Sequence, residues 1–128
     1  MKILGIGVDV IQNKRIQNLI NNKFFIKRTF GKKEIKFSSK SKNKTNYFAK
    51  RFAAKEAFAK SLGTGFRYNL NFKDIEILHD KIGKPYYFKS KKITNIINKR
   101  FKIKKYDLFL SISDEKNYSV AFTILQTK

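Results

Sequence analysis

The stretch Ile3-Leu4-Gly5-Ile6-Gly7-Val8-Asp9 begins the chain with an apolar run that ends on a carboxylate. A short apolar run with β-branched residues is typical of a buried strand, which we predict over residues 3–11. Gly5 and Gly7 permit another backbone to approach this strand closely. A carboxylate among apolar neighbours is costly unless a cation offsets its charge, so Asp9 is the first candidate for a functional residue.

An amphipathic helix is predicted to follow, because apolar residues recur at three- and four-residue steps from about Asn13 to Ile20. The alternative structural role for Asp9 is the N-cap of this helix. Two further apolar residues, Val10 and Ile11, stand between Asp9 and the first polar sequence, which places Asp9 early for a cap.

The helix predicted over about residues 46–62 reads NYFAKRFAAKEAFAKSL. Ala and Lys favour helix throughout, and Gly63 stands where a C-terminal cap is expected. Glu56 emerges from the apolar stripe of this helix, because residues three and four positions apart share a face. The ordinary structural interpretation of Glu56 is an i,i+4 ion pair with Lys60, which contributes about 0.2–0.5 kcal/mol.

The rest of the chain predicts one short helix, one longer helix and two hairpins. These elements are the helix 32–37, followed by a mobile loop, then the hairpin 74–88, the helix 91–102 and the hairpin 108–124. The order β-α-α-α-β-β-α-β-β indicates an α+β fold, a mainly antiparallel sheet packed with helices. We expect a single domain over residues 1–128, since 41% hydrophobic residues in 128 provide one core.

Composition excludes several classes of protein. The chain has no cysteine, so disulfides and thiolate metal sites are excluded. No stretch of about 18 uninterrupted apolar residues supports a membrane span. The apolar run at the start is too short for a secretory signal, and we expect a cytoplasmic protein without membrane attachment.

The formal net charge of +21 suggests a nucleic-acid-binding module, in which Lys and Arg neutralise phosphates and aromatic rings stack on bases. Two features weaken that hypothesis. Only five of the 30 basic residues are Arg, and the abundance of Lys, Asn, Ile, Phe and Tyr is typical of codon bias in an AT-rich genome. The chain also has no basic-aromatic repeat and no recognised RNA or DNA motif. Nucleic-acid binding is therefore the alternative hypothesis.

Asp9 and Glu56 together suggest metal chemistry. Two carboxylates with coordination positions left for water and phosphate suit Mg²⁺. Lys60, one turn beyond Glu56, would then contact a phosphate, and Arg51 and Lys55 are candidates for further anionic groups. This arrangement predicts phosphoryl transfer.

The motifs in which these residues lie resemble those of the holo-[acyl-carrier-protein] synthases, the small bacterial type of 4'-phosphopantetheinyl transferase. The resemblance covers nearly the whole chain, in the blocks 3–9 with 14–16, 51–60 with 63–65, 74–77 with 83–85, and 110–115 with 118–121. It implies the 4'-phosphopantetheinyl transferase fold. It also implies transfer of 4'-phosphopantetheine from coenzyme A to a serine of apo-acyl carrier protein, releasing adenosine 3',5'-bisphosphate, in support of fatty acid biosynthesis.

The resemblance also assigns roles to individual residues. Asp9 and Glu56 match the Mg²⁺ ligands of the family, and Lys60 matches the lysine that neutralises phosphate oxygens, so Glu56 and Lys60 are the expected catalytic residues. The residues expected to bind coenzyme A are Arg51, Lys60, Gly63, Thr64, Gly65, Lys84 and Pro85.

Two kinds of protein partner follow from the same resemblance. Lys14 and Arg15 match the docking surface for acyl carrier protein, an acidic helical partner that positive charge would attract. Family members are typically homotrimers with sites at subunit interfaces. We therefore expect a homotrimer.

The chain departs from the family at Phe109, where many members carry a histidine that has been considered for acid-base chemistry. The single histidine, His79, is expected on the surface at a hairpin turn. The proton of the attacking serine would then go to Glu56, to a metal-bound water or to Asp107, and we hypothesise a metal-bound water assisted by Glu56. A further alternative is an inactive homologue retained for binding.

Overall fold

The computed structural model describes residues 1–128 and confirms the predicted α+β fold. The elements are β1 (Ile3–Gln12), α1 (Asn13–Leu19), α2 (Lys23–Thr29), α3 (Lys32–Ser38), α4 (Lys44–Ser61), a 3₁₀ turn (Phe72–Asp74), β2 (Ile77–His79), β3 (Pro85–Tyr87), α5 (Lys91–Phe101), β4 (Tyr106–Asp114) and β5 (Tyr118–Thr127). No helix is both long enough and apolar enough to cross a membrane.

The main sheet is antiparallel, in the order β1-β5-β4, and β2 pairs with β3 as a separate hairpin. β5 is the central strand: Asp9 of β1 lies opposite Ala121 of β5, and Phe109 of β4 lies opposite Ile124. Helix α4 packs against β1 and β5, and one cluster of 21 buried residues forms the core. The predicted hairpins and the helix α5 are confirmed.

Helix α2 was not predicted, although its N-cap is visible in the sequence. The Asn22 side chain accepts hydrogen bonds from the amides of Phe24 at 2.9 Å and Phe25 at 3.2 Å. Phe25 is buried while Phe24 is 81% exposed. The helix has only seven residues. This is too short for apolar residues to recur at helical spacing, so the sequence pattern does not reveal the helix.

The prediction of a buried first strand was wrong for one of its two faces. Ile6, Val8 and Val10 are 59%, 50% and 57% exposed, while Gly7 and Ile11, on the other face of the strand, are buried. Successive side chains of a strand point to opposite faces of the sheet. Because α4 covers only one face, the apolar residues on the other face of β1 remain open to solvent.

Candidate active site

β1 and α4 approach each other closely because β1 has glycine on the side that faces the helix. A Cβ at Gly7 would lie 1.8 Å from the carbonyl oxygen of Ala57, and a Cβ at Gly5 would lie 1.8 Å from that of Ser61. Residues two apart on a strand share a face, so Asp9 also points toward α4. The two glycines therefore bring the Asp9 carboxylate beside the helix that carries Glu56.

Lys60 contacts Asp9 rather than Glu56. Its Nζ donates to Asp9 Oδ1 at 3.1 Å and to the Val8 carbonyl at 3.0 Å. The Asp9 side chain is 16% exposed and that of Lys60 is 54% exposed. The i,i+4 ion pair considered for Glu56 is not formed. Asp9 is not a helix cap either, since the N-cap of α1 is Gln12.

The Glu56 carboxylate is half-buried and accepts no hydrogen bond from the protein. Burial raises the pKa of Glu56 above its ordinary value, the nearby Asp9 carboxylate raises this pKa further, and Lys60 and Arg15 oppose the rise. Asp9, Glu56 and Lys60 therefore form one cluster, with the Arg15 guanidinium close enough to act on it. Sequence reasoning assigned Arg15 only to partner docking, because spacing does not reveal that α1 lies against α4.

This cluster provides two carboxylates, and no group of three or more His, Cys, Asp or Glu side chains occurs that could enclose a metal ion. Mg²⁺ accepts one or two protein carboxylates and fills its remaining positions with water and substrate phosphate oxygens. The oxygens of Glu56 receive no protein donor, and like charge from Asp9 already disfavours its ionised form. A divalent cation between the two carboxylates would relieve that repulsion, so this pair of residues fits Mg²⁺.

The Lys55 side chain lies on a different face and cannot contact a ligand. It is fully buried, and its Nζ donates to Glu34 Oε1 at 2.6 Å, to the Phe72 carbonyl at 3.1 Å and to the Ile75 carbonyl. The expectation that Lys55 serves an anionic group of the substrate was wrong. Its role is structural, because it joins α3 and α4 to the segment that precedes β2.

Arg51 lies apart from the carboxylates, in a cleft of about 440 Å³ that Pro85, Gly83 and His79 also line. Its guanidinium stacks 3.6 Å above the Tyr47 ring and donates to the Tyr47 carbonyl at 3.1 Å. Its Nε is buried without a hydrogen-bond partner. Burial lowers the pKa of Arg51. A guanidinium held in this way, with donors left over, is suited to an anionic ligand.

The carboxylate cluster and the Arg51 cleft do not share residues, since Asp9, Glu56 and Lys60 do not line the cleft. Lys84 is exposed on the turn beside Pro85, and its amide donates to Asp80 Oδ1 at 2.9 Å. The residues expected to bind coenzyme A thus lie in different parts of the structure, since Arg51 and Pro85 line one cleft while Lys60 contacts Asp9.

The glycine turn after α4 ends the helix. Gly63 and Gly65 have left-handed φ angles of 76° and 65°, and the Gly63 amide donates to the Lys60 carbonyl at 3.0 Å. Thr64 between them lines a third region, a cleft beside α5. Lys14 and Arg15 are both exposed on α1, as a docking role requires.

Phe109 and His79 lie in different parts of the structure. Phe109 is 49% exposed on the outer face of the sheet. His79 is exposed at the end of β2, as expected, but sequence reasoning missed that it also lines the Arg51 cleft. Asp107, one candidate for the general base, lies 3.9 Å from Lys89 and 3.8 Å from Lys128 and does not influence Glu56.

Comparisons with known proteins show which family the chain belongs to. The model of the 4'-phosphopantetheinyl transferase superfamily matches residues 5–123. The holo-[acyl-carrier-protein] synthase of Pelagibacter ubique is 58% identical over 128 residues, covering 100% of both chains. The crystal structure of the synthase from Neisseria meningitidis has a TM-score of 0.85 and 37% identity, covering 98% of this chain and 99% of that one. The synthase from Bacillus anthracis, in complex with CoA (3',5'-ADP), has a TM-score of 0.81 and 33% identity over 100% of both chains. With the family model matching almost the whole length, this chain belongs to the 4'-phosphopantetheinyl transferase superfamily.

Proposed function

We propose that this protein is a holo-[acyl-carrier-protein] synthase, which moves 4'-phosphopantetheine from coenzyme A to a serine of apo-acyl carrier protein. The product supports fatty acid biosynthesis, and the location is cytoplasmic. The observation that carries the proposal is the cluster of Asp9, Glu56 and Lys60 between β1 and α4, in a chain that is 58% identical to a synthase of this name. The single domain 1–128 provides all these residues.

In the proposed reaction the serine oxygen attacks the β-phosphorus of coenzyme A. A phosphorus–oxygen bond forms to the serine, the bond from that phosphorus to the bridging oxygen breaks, and adenosine 3',5'-bisphosphate leaves. Asp9 and Glu56 would hold Mg²⁺, which when bound supplies positive charge to the pyrophosphate. Lys60 is held by Asp9 and the Val8 carbonyl, and its ammonium would stabilise negative charge on the phosphate oxygens.

Glu56 takes up the serine proton in this proposal, directly or through water. No protein donor occupies the oxygens of Glu56, so a carboxylate oxygen remains available to accept the proton. Burial and Asp9 raise the pKa of Glu56 in the metal-free protein only. Asp107 of β4 is paired with Lys89 and Lys128 and is a poorer candidate.

We also propose a homotrimer in which one protomer contributes the carboxylates and its neighbour contributes the Arg51 cleft. A contiguous apolar face is exposed on the main sheet, formed by Ile6, Val8, Val10, Phe109 and Phe122. Exposed apolar patches of this kind mark protein interfaces. The carboxylate cluster lies on the opposite face of β1, which is an edge strand of the sheet, so a protomer that packs on this face and extends past that edge comes close to the cluster.

The acidic carrier protein is expected to dock at α1. Lys14 and Arg15 are exposed there, and Arg15 also acts on Glu56. A carrier protein bound to α1 would therefore bring its serine close to the cluster. Positive charge at this point accelerates encounter with an acidic partner.

The deciding experiment incubates the protein with coenzyme A, apo-acyl carrier protein and Mg²⁺, and reads the mass of the carrier protein. We expect the mass of one phosphopantetheine to be added, and the addition to stop when the metal is chelated. A carrier protein whose modified serine is replaced by alanine is the control. Absence of a mass increase with the natural carrier would contradict the proposed function.

A further inference from the structure

A second cleft, of about 940 Å³, lies between the turn 63–69 and α5. Asp9, Glu56, Lys60 and Arg51 do not line it, and Thr64 is its only lining residue among those expected to bind coenzyme A. Its volume is in the range of small-molecule sites, which hold a few convergent polar groups in a concave surface. The residues of α5 that line the cleft have no role in the proposed transfer reaction.

Three cations line this cleft and no carboxylate does. Lys92 Nζ is held by Asp74 at 2.6 Å. Arg100 donates its Nε to the Leu62 carbonyl at 3.1 Å, which leaves the other guanidinium nitrogens free, and Lys99 forms no ion pair or hydrogen bond with the protein. An unpaired lysine beside an anchored guanidinium forms a site for an anion, and phosphate is the anion whose geometry the guanidinium fork matches.

The choice of arginine at position 100 is informative in this chain. Only five of its 30 basic residues are Arg, and a Lys-rich composition explains exposed lysines without any ligand. Arg100 is fixed by the Leu62 carbonyl and lies over the Phe101 ring at 4.8 Å. It is therefore oriented before a ligand arrives.

An apolar and aromatic strip continues from these cations. Lys92, Ile96 and Lys99 are at positions i, i+4 and i+7 of α5 and so lie along one face, with the two lysines about 10 Å apart along the helix axis. The Tyr68 ring is 72% exposed on the opposite wall. Tyr68 and Asn69 both have left-handed φ angles, 59° and 64°, a conformation rare for non-glycine residues and frequent at ligand sites.

We propose that this cleft binds a nucleotide, a phosphate-bearing small molecule with a flat aromatic base. Lys99 and Arg100 bind the phosphate, and Tyr68 and Ile96 contact the base. The ligand is either a free nucleotide or the nucleotide portion of a second coenzyme A molecule. This site is additional to the transfer site and does not depend on the proposed function.

The test is an NMR titration of the full-length protein with ADP, at physiological salt, which suppresses unspecific charge attraction. The titration is run with and without saturating coenzyme A. We expect the amides of residues 64–69 and 92–100 to shift in both conditions if free nucleotide is the ligand. If coenzyme A itself moves these amides with a second, weaker Kd, the nucleotide portion of coenzyme A is the ligand. Loss of all ADP-induced shifts at the first equivalent of coenzyme A overturns the proposal, because the cleft is then part of the substrate site.

Variants separate a built site from general positive charge. The double variant Lys99→Gln, Arg100→Gln is expected to raise the Kd for ADP about tenfold or more, since hydrogen bonds to charged groups contribute strongly to the binding free energy. The matched control, Lys104→Gln with Lys105→Gln, removes the same charge outside the cleft and should leave the Kd unchanged. Equal weakening in both pairs overturns the proposal.

Two single variants guard against a folding defect and test the base contact. Lys99→Gln alone removes no protein contact and should still raise the Kd. Tyr68→Asn keeps a residue that tolerates left-handed backbone, and should weaken binding of ADP but not of inorganic pyrophosphate. Equal effects on both probes would exclude the aromatic contact. If Lys99→Gln keeps its transfer activity, the cleft is not needed for the reaction. If the protein binds ADP in this cleft but has no transfer activity, the nucleotide site is supported although the proposed function is wrong.

Discussion

Lys55 Nζ lies 2.6 Å from Glu34 Oε1, and both side chains are completely buried. The carboxylate also accepts from the Ile77 amide at 3.2 Å, so the pair connects α3, α4 and β2. Burial lowers the pKa of Lys55, and Glu34 opposes that change. The ion pair fixes the helix that presents Glu56, the next residue along the chain.

Removing the anion of this pair should strongly destabilise the fold. Glu34→Ala leaves a buried ammonium without a counterion, which costs about 3–5 kcal/mol. Urea denaturation at a fixed protein concentration measures the free energy of unfolding. The control is Glu115→Ala, at an exposed turn, which should change that free energy by less than about 0.5 kcal/mol. If the free energy of unfolding fell by a similar amount in the two variants, the buried ion pair would not be a major contribution to stability.

The same pair explains where sequence reasoning succeeds and where it stops. The face of α4 that carries Glu56 and Lys60 follows from helical spacing, and the family motifs add Asp9. Spacing alone does not tell whether Lys55 meets solvent or a buried partner, because Glu34 lies 21 residues earlier in the chain. The prediction placed Lys55 with the ligand-binding lysines for that reason.

The sequence also did not reveal how the site residues and the faces of β1 are arranged in space. Arg51 and Glu56 are five residues apart, which on a helix directs them to different sides, and the structure places Arg51 in its own cleft. The strand β1 was predicted correctly, but its open face was not, because an apolar run does not indicate whether one or both faces of a sheet are covered. These gaps concern packing partners distant in sequence rather than local structure.

The carboxylate cluster should control the transfer rate. Asp9→Asn and Glu56→Gln each remove one negative charge from the proposed metal site, and each should lower kcat/KM about 100-fold or more. Asp107→Asn is the matched control, since Asp107 lies on β4 and is paired with Lys89 and Lys128. The measurement is the rate of carrier-protein modification by mass spectrometry. A large loss in Asp107→Asn, with Glu56→Gln active, would transfer the role of general base to Asp107.

The pKa of Glu56 reports its neighbours in the metal-free protein. Burial raises this pKa and the Asp9 carboxylate raises it further, while Arg15 lowers it. Asp9→Asn should therefore lower the pKa of Glu56, and Arg15→Gln should raise it. NMR of the carboxyl carbon as a function of pH measures both shifts. Shifts of the same sign in the two variants would contradict the arrangement.

The raised pKa also has a consequence for stability. The folded metal-free protein holds the Glu56 proton more tightly than the unfolded chain does, so this contribution to stability is present at low pH. It declines as the pH rises above the ordinary value of 4.5 and through the raised pKa. Asp9→Asn should make that decline smaller.

The exposed sheet face should determine the oligomeric state. Phe122 is 39% exposed and lies opposite Val8 on that face. Phe122→Lys places a charge at the proposed interface, and we expect the trimer to dissociate in size-exclusion chromatography with light scattering. Phe24→Lys, at an 81% exposed position on α2, is the control and should remain trimeric. A monomeric wild-type protein would contradict the homotrimer outright.

Sharing of the site between protomers can be tested by mixing two inactive variants. If one protomer provides Glu56 and its neighbour provides Arg51, refolding Glu56→Gln together with Arg51→Gln in equal amounts restores about a quarter of the sites, because each half is intact in half of the protomers. A mixture of Asp9→Asn with Glu56→Gln restores none, since both changes fall in the same half. The transfer rates of the two mixtures, compared with each variant alone, decide the question. No recovery in the first mixture would place Arg51 and Glu56 in the site of one protomer and contradict a site shared between protomers.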